Sequence, residues 1–425
     1  MSNGSFELRG ESSPSTTPAG TVSLRWPTAP GATNTVETEL GWSLTPWHGV
    51  PSPATDLLRV AGAAYLADNL TPRGTTFTRE IALTVAVTAV DRWTDALAND
   101  TCDLLYWLTG DRWNLTLVPD DTAADIVAAP EVTDGAPVSL LSGGLDSYLG
   151  AIHLLGTEPT TRFIGHKDAA RVVRGAQNAV RGWLDRSYSP PPSYECIAFK
   201  QTESKRERTS RSRSLLFMSL GTAAAAATGS SVLYIPENGY TSLNVPLHQN
   251  RAGALSTRST HPSTFARLRG ILSDLEIGVE LNNPFEDMTK GEVMQLIASQ
   301  GPPAGWLDTS WLTISCSKLD GGRISGGDPN RNCGLCVACL VRRGTYVRAQ
   351  QPDKTRYLVN EMTGSSRDEL IRRRQDDIDA VTYATADPVE DELIDSQTWP
   401  DGYDLDAATD LVQRGLDELA AIPLP

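Results

Sequence analysis

Leu57, Val60, Ala61, Ala64 and Tyr65 recur at the spacing that lines one face of a helix. Ser52-Pro53 supplies its start, a capping residue type followed by proline in the first turn. The period then changes. Ile81, Leu83, Val85 and Val87 alternate with smaller or polar residues, which predicts a half-buried strand over Thr78–Thr88. Leu104–Leu108 and Trp113–Val118 flank Thr109-Gly110-Asp111-Arg112, a spacing that predicts a hairpin. Residues 1–35, rich in Ser, Thr, Gly and Pro, read as a flexible lead-in with one short strand around Val22–Trp26. No metal or nucleophile spacing occurs over 36–130, so that stretch reads as an accessory α+β domain, structural or partner-docking.

From about Ala136 the rhythm becomes strand, turn, helix. Pro137–Leu141, Arg162–Gly165, Tyr194–Phe199, Val232–Ile235 and Gly278–Leu281 are short apolar runs separated by helical stretches. This predicts parallel βαβ units in a doubly wound α/β sheet over 136–300, with ligands at the carboxyl ends of the strands. Leu215–Ala227 is apolar but too short to span a bilayer, and reads as a buried helix. A cysteine-bearing segment follows over 301–346, and 347–425 reads as helical and acidic. There Arg372-Arg373-Arg374 precedes Asp376, Asp377, Asp379, Asp387, Glu390, Asp391, Glu392 and Asp395, the pattern of a solvated face or tail.

At 425 residues the chain exceeds the usual size of one domain. A formal net charge of -15 argues against general nucleic-acid binding, which needs clustered Lys and Arg. The polar N-terminus lacks the apolar core of a secretion signal, so a cytoplasmic protein with no membrane partner is expected.

The chemistry concentrates in two places. Ser142-Gly143-Gly144-Leu145-Asp146-Ser147 follows an apolar strand that ends at Leu141, and opens a helix. The glycines let the backbone turn tightly around an anion, and the unpaired N–H groups of the helix start point at it. The two serines add hydroxyl donors, and Asp146 either holds Mg²⁺ or fixes the loop's shape. No lysine is present, so this is not the loop of the common nucleoside triphosphatases.

Cys333-Gly334-Leu335-Cys336-Val337-Ala338-Cys339 forms the second place, with Cys316 upstream across the glycine-containing insert Ser317–Asn332. Four soft thiolates suit tetrahedral Zn²⁺. An iron–sulfur cluster uses similar spacing, and free buried cysteines are the remaining alternative.

The loop resembles the PP-loop of the ATP pyrophosphatases, a Rossmann-like class. Both motifs in this order resemble the 7-cyano-7-deazaguanine synthase family, QueC. The resemblance extends through Arg213-Ser214-Leu215-Leu216-Phe217, Thr289-Lys290-Gly291-Glu292, Ser315-Cys316 and Cys333 to Arg342, covering roughly residues 137–346. It implies ATP, a 7-carboxy-7-deazaguanine substrate, adenylation of the carboxylate and formation of an amide, then a nitrile. It also implies that Arg213 lies near the nucleotide and that Lys290 neutralises phosphate or carboxylate charge. The basic stretch Lys205–Arg213 fits a polyanion in the cleft, with a solvated loop the better account of Lys205 and Arg206.

The departures point further. Family members are about half this length, lacking the first 130 residues. In Glu237-Asn238 the asparagine fits the family, but Ser256-Thr257-Arg258 and Thr260-His261-Pro262 resemble the longer QueC-like proteins of bacterial antiviral operons such as the Qat system. Glu237, Asn238, Arg258 and His261 are then expected to bind substrate. The activated carboxylate is passed either to ammonia or to an amine of a partner macromolecule, and a protein partner from the same operon and a homodimer are both compatible with the chain. Two other functions remain open: a tRNA-thiolating PP-loop enzyme, and a non-catalytic nucleotide-binding scaffold.

Overall fold

The computed structural model describes residues 3–10, 17–26, 36–44, 46–47, 49–75, 77–120, 134–167, 170–202, 207, 209–247 and 258–425. Lys205, Arg206, Ser256 and Thr257 lie outside the described residues.

The N-terminal part contains β1 (Asn3–Gly10), β2 (Val22–Trp26), β3 (Val36–Thr38), helix α1 (Ser52–Leu70), β4 (Glu80–Val87), α2 (Asp95–Thr109) and β5 (Arg112–Pro119). Four of these strands form a sheet in the order β2-β1-β4-β5, parallel throughout. The lead-in therefore contributes two strands to this sheet. The hairpin expected around Gly110 is instead the end of a helix followed by a parallel strand. Thr94 caps α2, Leu97, Leu104, Leu105 and Leu108 bury its inner face, and left-handed Gly110 terminates it. Leu104–Leu108 was thus the last turns of a longer helix rather than a strand.

The second sheet runs β11-β10-β6-β7-β8, again all parallel. Its strands are β6 (Val138–Leu140), β7 (Arg162–His166), β8 (Tyr194–Ile197), β10 (Val232–Tyr234) and β11 (Glu280–Asn282). The chain moves outward from β6 through β7 to β8, then returns to place β10 on the other side of β6. That reversal makes the ends of β6 and β10 the crevice where such sheets bind ligands. The run Tyr194–Phe199 divides: β9 (Phe199–Gln201) leaves the large sheet and pairs antiparallel with β3.

Helices α3 (Leu145–Thr157), α4 (Arg171–Ser187), α5 (Arg213–Thr228), α6 (Gly239–Leu243) and α7 (Pro262–Asp274) connect and flank these strands. Then come α8 (Lys290–Ser299), α9 (Trp306–Ser310) and α10 (Val337–Arg348). One hydrophobic core joins the two sheets, because α1 is buried along most of its length between the N-terminal sheet and α5. Phe6 and Leu8, Leu57 and Val60, and Leu216, Leu220 and Leu233 all belong to it. The N-terminal part is thereby fused to the nucleotide-type sheet.

The C-terminal helices α11 (Leu358–Glu361), α12 (Gly364–Arg373), α13 (Gln375–Ala384), α14 (Asp391–Asp395) and α15 (Leu405–Ala420) are packed, not a tail. Leu411, Val412, Leu416 and Leu419 of α15 bury against α10 and α6. The acidic run remains a solvated face at Asp376, Asp379, Asp387 and Glu390. Arg374 and Asp377 break the pattern: both are buried, paired with Asp320 and Lys318. No helix among the described residues is long and apolar enough to cross a membrane.

Candidate functional site

The glycine loop lies at the carboxyl end of β6. Gly143 takes φ +87°, and a Cβ there would stand 3.1 Å from the Gln177 main-chain nitrogen, so both conformation and space demand glycine. The serines close the bend: Ser142 Oγ and Ser147 Oγ are 3.0 Å apart, and Gly144 N donates to Ser142 Oγ at 3.2 Å. No side chain caps α3 at Gly144, which leaves the first amides of a thirteen-residue helix turned to the loop.

The loop opens onto a cleft of about 430 Å³. Ser142, Gly144, Leu145, Asp146 and Ser147 form its floor, with Arg213 and Ser214 from α5, Glu237 after β10, and Lys290 at the start of α8 around it. Phe217, Met218, Ile235 and Pro236 give it an apolar wall.

At its base sits a buried charge cluster. Lys290 Nζ is 2.7 Å from Asp146 Oδ2, and Asn238 Nδ2 donates to Asp146 Oδ1 at 2.9 Å. Asn238 Nδ2 also lies 3.1 Å from Glu237 Oε1, which accepts from Thr241 Oγ1 at 2.9 Å. Burial, and then the negative charge of Asp146, raise the Glu237 carboxyl to about 8. Burial disfavours the Lys290 charge, but Asp146 and Glu237 outweigh it and hold its pKa above the ordinary value. Both oxygens of Asp146 are engaged, by Lys290 and Asn238.

Thr289-Lys290-Gly291-Glu292 is a capping box, Thr289 accepting from Glu292 N while Glu292 accepts from Thr289 N. This sets the first turn of α8 and, with it, Lys290. Glu418 of α15 arrives from the far end of the chain to accept from Gly291 N at 3.1 Å and to bond Thr289 Oγ1. A Cβ on Gly291 would fall 2.4 Å from Glu418 Oε1. No local pattern could have revealed Glu418.

Asn238 serves Asp146 and caps α6 through Thr241 N, rather than facing the cleft. Arg258 and His261 depart further from expectation. Arg258 stacks over the Trp107 ring at 3.9 Å. His261 caps α7 by accepting from Ser263 N and stacks on Trp399, with burial as the main force pushing its pKa down to about 4. Both side chains stand outside the lining of the cleft and join α7 to its neighbours, whereas Ser259 and Thr260 line it.

The four cysteines converge. Cys316, Cys333, Cys336 and Cys339 are buried, with sulfurs within 4.8 Å of one another, Cys316–Cys336 at 3.8 Å and Cys333–Cys339 at 3.9 Å. Zn–S bonds of about 2.3 Å in a tetrahedron place the sulfurs about 3.8 Å apart. The set thus fits one zinc ion, and is too tight for thiols spread around a multi-iron cluster. Cys336 N donates to Cys333 Sγ at 3.2 Å, further favouring a thiolate there.

A strap of residues 313–316 joins thiols to loop. Ile314 N donates to Gly143 O at 3.2 Å. Asn332 Oδ1 accepts from Ser315 N and Cys316 N, at 3.0 and 3.1 Å. Arg342, fully buried, donates to Thr313 Oγ1 at 2.8 Å and to Ser315 Oγ at 3.2 Å.

No family model matches the chain. Parts of it are similar to bacterial 7-cyano-7-deazaguanine synthases. Identity is 35% over 80 residues with that of Ralstonia pickettii (strain 12J), covering 19% of this chain and 30% of that protein. It is 29% over 150 residues with that of Cupriavidus taiwanensis, covering 34% and 56%. With that of Ectopseudomonas mendocina (strain ymp) it is 26% over 148 residues, again covering 34% and 56%. The chain spans between 30% and 56% of the length of these relatives.

Proposed function

We propose, on the premise that this chain is a QueC-like relative of the 7-cyano-7-deazaguanine synthases, that it is an ATP-dependent ligase acting on 7-carboxy-7-deazaguanine. A carboxylate oxygen attacks the α-phosphate of ATP, pyrophosphate leaves and an acyl-adenylate forms. A nitrogen nucleophile then attacks the acyl carbon, displaces AMP and closes a C–N bond. Ammonia gives the amide, which a second ATP carries to the nitrile.

The observation that supports this reading is the shared cleft: the glycine loop and helix start face the same space as Lys290, Arg213 and Glu237. Amides of the loop take the phosphates, Lys290 and Arg213 offset their charge, and the Phe217–Pro236 wall suits a flat heterocycle. Mg²⁺ enters with ATP as a phosphate counter-ion, while Asp146 keeps Lys290 in place.

Transfer to an amine of a partner, in bacterial antiviral defence, is the second reading. A groove of about 400 Å³ meets the cleft at Thr260; Glu286, Asp287, Asp401, Asp404 and Asp410 outnumber Arg269 and Arg414 in its lining, a balance that suits a basic partner surface. Purified protein given ATP and the carboxylate should produce AMP and pyrophosphate, and Ser142→Ala should not. Turnover that requires a sulfur donor would establish tRNA thiolation instead, and ATP binding without pyrophosphate release would leave a scaffold. A mass gain of a co-encoded partner separates conjugation from nitrile synthesis.

A further inference from the structure

Described residues of the segment that enters α5 are stitched to the N-terminal part. Glu207 N donates to Asn69 O at 2.9 Å, and Glu207 Oε2 accepts from Arg73 N at 2.8 Å. Thr209 Oγ1 and Ser212 Oγ both donate to Asp68 Oδ2, at 3.2 and 2.6 Å. Arg211 Nη1 reaches Thr109 O at 3.3 Å.

Asp68 lies near the end of α1 and is fully buried. Its other oxygen pairs with Arg79, itself fully buried and also paired with Asp111. Arg73 adds a second cation to Asp111. Such a cluster is stiff, because moving any member leaves an uncompensated charge out of water. Ser212 stands at the N-cap of α5 yet makes no capping bond, since its hydroxyl is turned to Asp68. The place where α5 begins is therefore set from outside the helix.

Residues on both sides of Ser212 face the nucleotide-type cleft: Ser210, Arg213 and Ser214 line it. We propose that Asp68 is a positioning residue for that cleft. Through Thr209 and Ser212 it fixes the wall that carries Arg213, so the N-terminal part completes the site. This deepens the ligase reading and rests on it.

The test uses the full chain with Thr209→Val and Ser212→Ala together, which removes both links and leaves the Asp68–Arg79–Asp111 cluster intact. Amide hydrogen exchange over residues 207–216 should quicken, and the KM and Kd for ATP should rise by about tenfold while kcat at saturating ATP changes by less than about twofold. Unchanged ATP affinity in the folded double variant, or a fall in kcat with KM unaltered, would overturn the proposal. A wild-type chain that fails to bind ATP sinks the ligase reading and this proposal with it. A wild type that binds beside a variant that binds equally well sinks this proposal alone.

Discussion

Lys290 Nζ and Asp146 Oδ2, 2.7 Å apart and both buried, tie the first turn of α8 to the first turn of α3. A lysine at a helix N-terminus opposes the helix dipole, and an aspartate at one favours it. The pair lets one cation stand beside two helix starts at the mouth of the glycine loop. Burial and the Asp146 charge raise the Glu237 carboxyl, which disfavours a second carboxylate charge beside the pair.

Removing that cation should be severe. Lys290→Met leaves Asp146 buried without its partner, and a broken buried pair costs about 3–5 kcal/mol. Urea unfolding should show a loss of that size. Adding Asp146→Asn to it should recover part of the stability without recovering turnover. A single variant as stable as wild type would show that the pair is not buried in solution.

Gly143→Ala places a side chain at positive φ and against Gln177, a strain of about 1–3 kcal/mol. The bend must open to relieve it, so ATP affinity should fall by at least about tenfold. Calorimetric titration with ATP measures this, and wild-type affinity would mean the bend does not hold the phosphates.

The thiol set should carry about one zinc per chain on elemental analysis. Cys333→Ser should lose the metal and lower the melting temperature. Because Cys316 continues the strap whose Ile314 N holds Gly143 O, ATP binding should weaken too. Iron in place of zinc, or full stability without metal, is the contrary result.

Acid should destabilise the fold through His261. Its folded pKa near 4 lies below the unfolded value of about 6.5, so the unfolded chain takes up the proton first as pH falls. The stability at stake is fully present above pH 6.5 and is lost towards pH 4, about 2 kcal/mol of it by pH 5. His261→Asn keeps a capping residue but does not titrate. Its unfolding free energy should change less than wild type's between pH 7 and pH 5, and parallel curves would count against the assignment.

Much of this protein was written locally in its residues. The five strand runs from Val138 to Asn282 are short apolar segments between turn residues, and a parallel sheet followed from their alternation with helices, whereas the strand order did not. The Ser142–Ser147 loop and the cysteine spacing were legible for the same reason, since each works through groups a few residues apart. Leu104–Leu108 misled because five residues cannot distinguish the buried end of a helix from a strand.

Tertiary structure alone decided the rest. The resemblance pointed to Arg258 and His261 as substrate-binding, and the fold sets their side chains against Trp107 and Trp399. Glu418 looked like one acid in a helical tail, and it caps α8. Residue type and spacing determined which backbone turns could hold an anion and which thiols could share a metal. Which charged side chains would meet in the interior depended on contacts between remote segments, because a buried charge takes its role from the partner that the fold brings to it.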